Sequence, residues 1–261
     1  MNLKLWSGVA SVLVLAAAAA VSAPPASAQT TEAKEKPPMY SYVANWSIPR
    51  GQWSEMAKSD AADEKLMEKA FASGTIVAYG NDMSLIHQPD QSTHDGWWSA
   101  MSLAGVLNVL DQAYTSGSAT TPVLGTATKH WDSLYVSRYY NWHSGSWKGV
   151  YTHAASYTLK ADAPGDAVEK LTKNIIAPLM DKLLADGTIH EWEVDTEAIH
   201  TTNPNTFWLF YITANAEGLD KVNAALTDTL KANPLDGPAF ASMVDFSTHR
   251  DELARTNATY K

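Results

Sequence analysis

The chain has 261 residues, with 19 Lys and Arg against 28 Asp and Glu, a formal charge of −9, and no cysteine. That balance opposes binding to nucleic acid or anionic lipid, which depend on basic patches, and the missing cysteines exclude a disulfide framework, so stability must come from a core. Ten Trp and eleven Tyr are then shared between that core and the lining of a cavity.

The first segment carries Lys4, an apolar run from Leu5 through Val21, then Pro24-Pro25 and Ala26-Ser27-Ala28. This is the three-part pattern of a signal peptide with cleavage after Ala28, which predicts a periplasmic or secreted protein. A membrane anchor would need about 20 strongly apolar residues, and this run is shorter and largely alanine. Without residues 1–28 the chain keeps 18 basic and 28 acidic residues over 233 positions, a charge of −10. No later stretch is apolar enough to span a bilayer, so no membrane partner is expected. Residues 29–38, QTTEAKEKPP, are polar and end in proline, as a flexible leader does.

Beyond the leader the sequence repeats itself. LMEKAFASGTI at 66–76 matches LMDKLLADGTI at 179–189, an offset of 113 that also pairs Ile86-His87 with Ile199-His200, Thr93 with Thr206 and Gly105 with Gly218. Upstream, MYSYVANWSI at 39–48 matches VYTHAASYTL at 150–159, and downstream HWDSL at 130–134 matches HRDEL at 249–253. Preserved order across several fragments predicts a duplicated unit of about 110 residues, spanning 39–148 and 149–261.

In chain order the first unit reads as a Tyr-, Val- and Trp-rich strand at 40–48, a helix at 54–73 and strands at 75–81 and 97–103. The helix carries the stripe Met56, Leu66, Met67, Phe71 and ends at Gly74. A second helix at 104–114 and a strand at 135–142 complete the unit. The second unit follows with a strand at 149–159, a helix at 165–186 capped by Gly187, strands at 188–194 and 206–214, a helix at 216–232 and a strand at 254–260. The order βαββαβ is the ferredoxin-like plan, which covers only one face of its sheet with helices, so two units must pack sheet to sheet.

The duplicated order, the helix-Gly-Thr-Ile lead into strand two and the His-x-Asp ahead of strand four resemble the dimeric α/β-barrel superfamily over nearly all of residues 39–261. The resemblance implies an α+β fold in which tandem ferredoxin-like repeats form a pseudo-dimeric α/β barrel within one chain. That superfamily contains cofactor-free monooxygenases, isomerases, haem enzymes and stress-responsive proteins, so it implies a fold and a cavity rather than one reaction. Fusion of the two units supplies the contact that single-unit relatives obtain by dimerising, which predicts a monomer.

Duplication also sorts candidate site residues. Features present in both units serve what the halves share, so His130-x-Asp132 and His249-x-Asp251 read as polar turns. His87 and His200 follow strand two in both, with a pseudo-twofold catalytic pair as the alternative. Alternation on the first strand puts Tyr40, Tyr42, Ala44 and Trp46 on one face, and Tyr151, His153, Ala155 and Tyr157 on its copy. These aromatics suit a cavity wall, with Ser41, Val43, Thr152 and Ala154 left for close helix packing. His153 would then be a candidate general base. On strand two of the second unit either His190 and Trp192 or Glu191 and Glu193 face inward.

The loop residues His87, Asp90, His94 and Asp95 have a composition that suits a divalent ion but match no recognised spacing, so no metal is expected. No glycine-rich phosphate loop, G-x-S-x-G or H-E-x-x-H occurs, and no cofactor is indicated. The expected partner is a small hydrophobic or aromatic molecule held in an aromatic-lined barrel. The alternative is a cofactor-free monooxygenase or isomerase with a cavity histidine as base.

Overall fold

The computed structural model describes residues 33–261, so the signal-peptide segment and the start of the leader lie outside the described residues. Alternating aromatic and small residues build β1 (Met39–Ser47), followed by α1 (Trp53–Ser73), β2 (Ala78–Ser84), β3 (His94–Ala100), α2 (Leu103–Ser116) and β4 (Lys129–Trp142). The remaining chain gives β5 (Gly145–Leu159), α3 (Ala167–Leu171), a π-helical turn at Thr172–Ile176 and α4 (Ala177–Ala185). It ends with β6 (Ile189–Glu197), β7 (Thr206–Thr213), α5 (Ala216–Ala232), α6 (Asp236–Met243) and β8 (Val244–Tyr260).

All eight strands join one closed barrel in the order β1-β3-β2-β8-β5-β7-β6-β4, every neighbouring pair antiparallel. The first four strands run β4-β1-β3-β2 and the second four β8-β5-β7-β6, with seams where β2 meets β8 and β4 meets β6. Closure leaves no free sheet edge.

Matched glycines and caps hold the helices at the same places in both halves. Gly74 and Gly187 end their helices at φ 79° and 78°, a conformation that disfavours any side chain. Ser102 and Asn215 cap α2 and α5 by accepting from the Gly105 and Gly218 amides at 3.1 and 3.0 Å. A Cβ on Gly105 would meet the Thr75 carbonyl at 3.0 Å, and one on Gly218 the Thr213 Cβ at 2.8 Å, so both are points of close helix–sheet approach.

Several boundaries move. His130-x-Asp132 and His249-x-Asp251 lie within β4 and β8 rather than in turns ahead of them, because β4 and β8 extend along β1 and β5 respectively. The helix expected over 165–186 is interrupted by the π-helical turn, where the Thr172 hydroxyl donates back to the Val168 carbonyl at 2.7 Å. Residues 35–37 are tied to β4: Arg138 pairs with Glu35 at 2.6 Å and the Tyr140 hydroxyl donates to the Pro37 carbonyl at 2.8 Å. Among the described residues no helix is long and apolar enough to cross a membrane.

The facing of the strands is a correction. Tyr42, Trp46, His153 and Tyr157 point outward into the helix-covered layer, where Tyr42 packs with Met67, Ala70, Val106 and Val109 and Tyr157 joins the core of the second half. The interior takes Ser41, Val43, Thr152 and Ala154 instead. An eight-stranded barrel is wide enough for its own side chains or one small ligand. Trp97, Tyr135, Trp208 and Phe210 take up much of that width, so β1 and β5 contribute small residues. The helices, in turn, need large rings to bury their apolar stripes.

Candidate functional site

Two cavities border the sheet. The first, about 300 Å³, lies on the outer face of the first half beneath α1 and α2, walled by Trp46, Trp98, Tyr42, Met67 and Leu110. Tyr42 stacks on Trp98 at 4.5 Å between centroids, and Trp46 stacks on His130 at 3.5 Å with 14° between planes. A carbonyl only accepts, so His130 Nδ1 donates to the Asn45 carbonyl at 2.9 Å. That leaves Nε2 facing Asp132 Oδ1 at 3.4 Å, longer than a good hydrogen bond. The Tyr42 hydroxyl also bonds Asp132, and burial followed by that bond raises the phenol well above its usual range.

Helix α1 adds two carboxylates to this pocket. Asp60 and Asp63 sit on its inward side, and burial, reinforced by Asp63, pushes Asp60 up to about 7. Burial also raises Asp63, whose Oδ1 has no hydrogen-bond partner. An acid near neutrality against aromatic walls is what proton transfer at ordinary pH needs.

The second half repeats the same constellation without the cavity. His249 Nδ1 donates to the Ser156 carbonyl at 2.9 Å, its Nε2 lies 3.1 Å from Asp251, and its ring stacks on Tyr157 at 4.5 Å. His153 stands where Tyr42 stands in the first half, its Nε2 3.4 Å from Asp251 and its ring on Tyr211 at 4.9 Å. Burial lowers its pKa, and it borders neither cavity. Phe240 of α6 meets Tyr157 edge-on at 5.2 Å, whereas between α2 and β4 the first half has two short 3-10 turns whose Ser118, Ala119 and Leu124 line the first cavity.

The other sequence candidates scatter. His87 is exposed beside Trp53, 5.2 Å between ring centroids, and His200 is exposed after β6. Tyr151 accepts from Arg255 at 2.8 Å, His190 stacks on Trp147 at 4.5 Å, and Trp192 is buried with its indole N–H on Asp181 at 3.0 Å. Of the ligand-binding candidates, Tyr42 and Trp46 line the outer pocket. In the loop, Asp90 pairs with Lys129 at 2.6 Å, while the neighbours His94 and Asp95 point to opposite faces of β3 and cannot converge.

The second cavity, about 260 Å³, is the barrel interior. Here strand two of the second half resolves its ambiguity: Glu191 and Glu193 face inward, with Asp195, Asp82, Asp95 and Glu252. Sequence reasoning missed Asp60 and Asp63, although Asp63 falls at the offset of 113 opposite the buried Ile176, an acid where the copy has core.

No protein-family model matches the chain, and no curated protein does. Solved structures do. A candidate monooxygenase from Lactobacillus acidophilus NCFM superposes with TM-score 0.62 at 13% identity, covering 86% of this chain and 97% of its own. A second candidate monooxygenase, from Fusobacterium nucleatum subsp. nucleatum ATCC 25586, gives 0.59 at 9%, covering 87% and 95%. An anthrone oxidase-like protein gives 0.51 at 9%, covering 88% and 95%. The fold is that of the dimeric α/β-barrel superfamily, a mixed α+β architecture around a closed eight-stranded barrel.

Proposed function

We propose that the pocket beneath α1 and α2 holds a small aromatic or hydrophobic molecule. The observation that carries this reading is a half-open chamber of about 300 Å³ whose walls are Trp46, Trp98 and Tyr42 and whose polar groups are Asp60, Asp63, Asp132 and His130. Flat apolar walls with a few convergent polar groups suit a flat ligand carrying a hydroxyl or carbonyl. Calorimetric titration with 2-naphthol tests it. One site is expected, weakened tenfold or more by Trp46→Ala and unchanged by His153→Ala; binding indifferent to Trp46→Ala would overturn it.

A second reading, a cofactor-free isomerase or monooxygenase, is favoured by the Asp60 carboxyl near 7. Asp60 would take a proton from carbon beside a carbonyl and return it to a neighbouring position, with the Tyr42 hydroxyl, turned away from Asp132, donating to the oxygen. Similar structures carry monooxygenase and anthrone oxidase-like names, at identities that speak for fold alone. Deuterium exchange into 2-tetralone should then rise with pH through about 7 and vanish in Asp60→Asn; exchange no faster than in buffer leaves the binder.

The wider assignment belongs to the same proposal. Residues 39–148 and 149–261 are two copies of one ferredoxin-like unit, supported by the matched strand orders and by the paired Gly105 and Gly218. The protein is exported after loss of residues 1–28 and works as a monomer, supported by the composition of that segment and by a barrel already closed within one chain.

A further inference from the structure

We propose that the barrel interior is a second, separate binding site, and that it takes a short aliphatic diamine in its doubly protonated form. The lining carries six carboxylates, and their placement is specific. Asp82 on β2 and Asp195 on β6 are related by the offset of 113 residues, and in the closed order their strands stand four apart among eight, on opposite sides of the lumen. Asp95 lies directly across from Asp82 on β3, while Glu191 and Glu193 share a face with Asp195. Two acidic poles therefore face each other across the barrel.

These poles are short of donors. Thr256 and the Trp97 indole serve Asp82, and Ser92 serves Asp95, but one oxygen of each stays unpartnered. Asp195 is 1% exposed, yet neither of its oxygens has a hydrogen-bond partner. Other hydrogen bonds engage most hydroxyls nearby. Ser137 donates to the Val194 carbonyl at 2.9 Å, Ser41 and Ser99 bond each other at 2.8 Å, and Thr152 and Thr256 do so at 2.6 Å. Buried acceptors without donors are costly, and an ammonium group supplies both three N–H donors and the opposite charge. Trp208 and Phe210, across from Asp195 and Glu193, and Trp97, two residues from Asp95, line the same lumen and suit an organic cation, which they attract without its being fully hydrated.

A metal ion fits less well, since among the described residues no three His, Asp or Glu side chains converge closely enough to hold one. Arg250, the single basic side chain among the lining residues, is exposed at the rim and gives its Nη1 to the His249 carbonyl, so it does not neutralise the poles. Burial raises Asp82 and Asp195 to about 7 and Asp95, Glu191 and Glu193 well above their usual range. An unliganded barrel thus holds protons that a diamine would displace. The other titratable lining groups are Tyr135, Tyr260 and Glu252; the lining residues of β1, β5 and β7 do not ionise.

Calorimetric titration of the protein with 1,4-diaminobutane, in two buffers of different ionisation enthalpy, tests the site, with 1,4-butanediol and CaCl2 as comparison probes. The expected result is one saturable site for the diamine, protons released on binding, no heat from the diol, and calcium unable to compete. Asp195→Asn and Glu193→Gln should each weaken the diamine at least tenfold while the unliganded melting temperature stays level or rises. Equal binding of the diol, displacement by calcium, binding without proton release in the unaltered protein, or binding that survives both substitutions would each overturn the proposal. A variant that fails to fold leaves the proton-release measurement to decide.

Discussion

The two halves of the barrel share a backbone plan and differ in what lies between sheet and helices. Beneath α3, α4 and α5 the second half packs Leu171, Ile176, Met180, Leu183, Leu184 and Phe207 into a continuous core, closed at one side by Phe240. Beneath α1 and α2 the first half has a smaller cluster around Tyr42, Met67, Trp98 and Val106, and beside it an open chamber bearing Asp60 and Asp63. The His-x-Asp constellation common to both ties the last strand to the first through the Asn45 and Ser156 carbonyls, so it serves the fold. The unshared features, carboxylates on α1 and two short 3-10 turns (Ser118–Thr120 and Leu124–Thr126) where the second half has α6, border the chamber. The second half is packed and the first is open.

The largest expected effect breaks the packed half. Phe207 is fully buried and stacks on Tyr157 at 5.3 Å, so Phe207→Ala should cost about 3–5 kcal/mol. Leu110→Ala, beside the open chamber, should cost only about 1–2 kcal/mol because solvent or neighbours fill the space. Urea titrations of both variants read the difference, and equal losses would erase the contrast between halves.

Copying the second half into the first comes next. Asp63→Ile replaces a half-buried, partly unpartnered carboxylate by the residue at the matching place in the packed half, and should raise stability by about 1 kcal/mol while abolishing 2-naphthol binding. Loss of stability with binding intact would contradict the assignment of the chamber.

Acidity gives the third test. Asp60, Asp82 and Asp195 are each raised to about 7 in the folded state from an ordinary 3.8. Between those values the folded chain holds more protons than the unfolded one, so stability falls as pH rises from about 4 to about 7. His94, lowered by burial to about 4, works the other way but is outnumbered. The melting temperature should decline from pH 5 to pH 8, with a shallower slope in Asp195→Asn; a rising profile would count against the buried acids.

The smallest effect should be the same in both halves. Gly74→Ala and Gly187→Ala each force a side chain into a left-handed cap and should cost about 1 kcal/mol apiece by thermal melting. A cost confined to one half would undo the view that shared features serve the fold.

Element order was readable in both halves because helix stripes, capping glycines and aromatic strands leave strong periodic signals. Which face of β1 and β5 points inward was not. Alternation separates Tyr42 and Trp46 from Ser41 and Val43 but does not say which set a closed barrel admits, since that depends on rings supplied by β3, β4 and β7. The same limit hid the meaning of Glu191 and Glu193, whose acidic face reads equally well as a solvated edge. α6 escaped notice because 233–243 contains Pro234, Gly237 and Pro238, which signal a loop. Asp60 and Asp63 lie outside the apolar stripe of α1, as surface helix acids do, and only the offset that sets Asp63 against Ile176, while Asp60 falls on Lys173, marks Asp63 as out of keeping.

A crystal structure of the protein soaked with 2-naphthol tests the central contrast most directly. The aromatic ring should lie against Trp46 and Trp98 with its hydroxyl within hydrogen-bond reach of Asp60, Asp132 or His130, and the corresponding space beside Tyr157 and Phe240 should remain closed. A naphthol seated beneath the helices of the second half, or a first-half chamber still empty at saturating concentration, would contradict it.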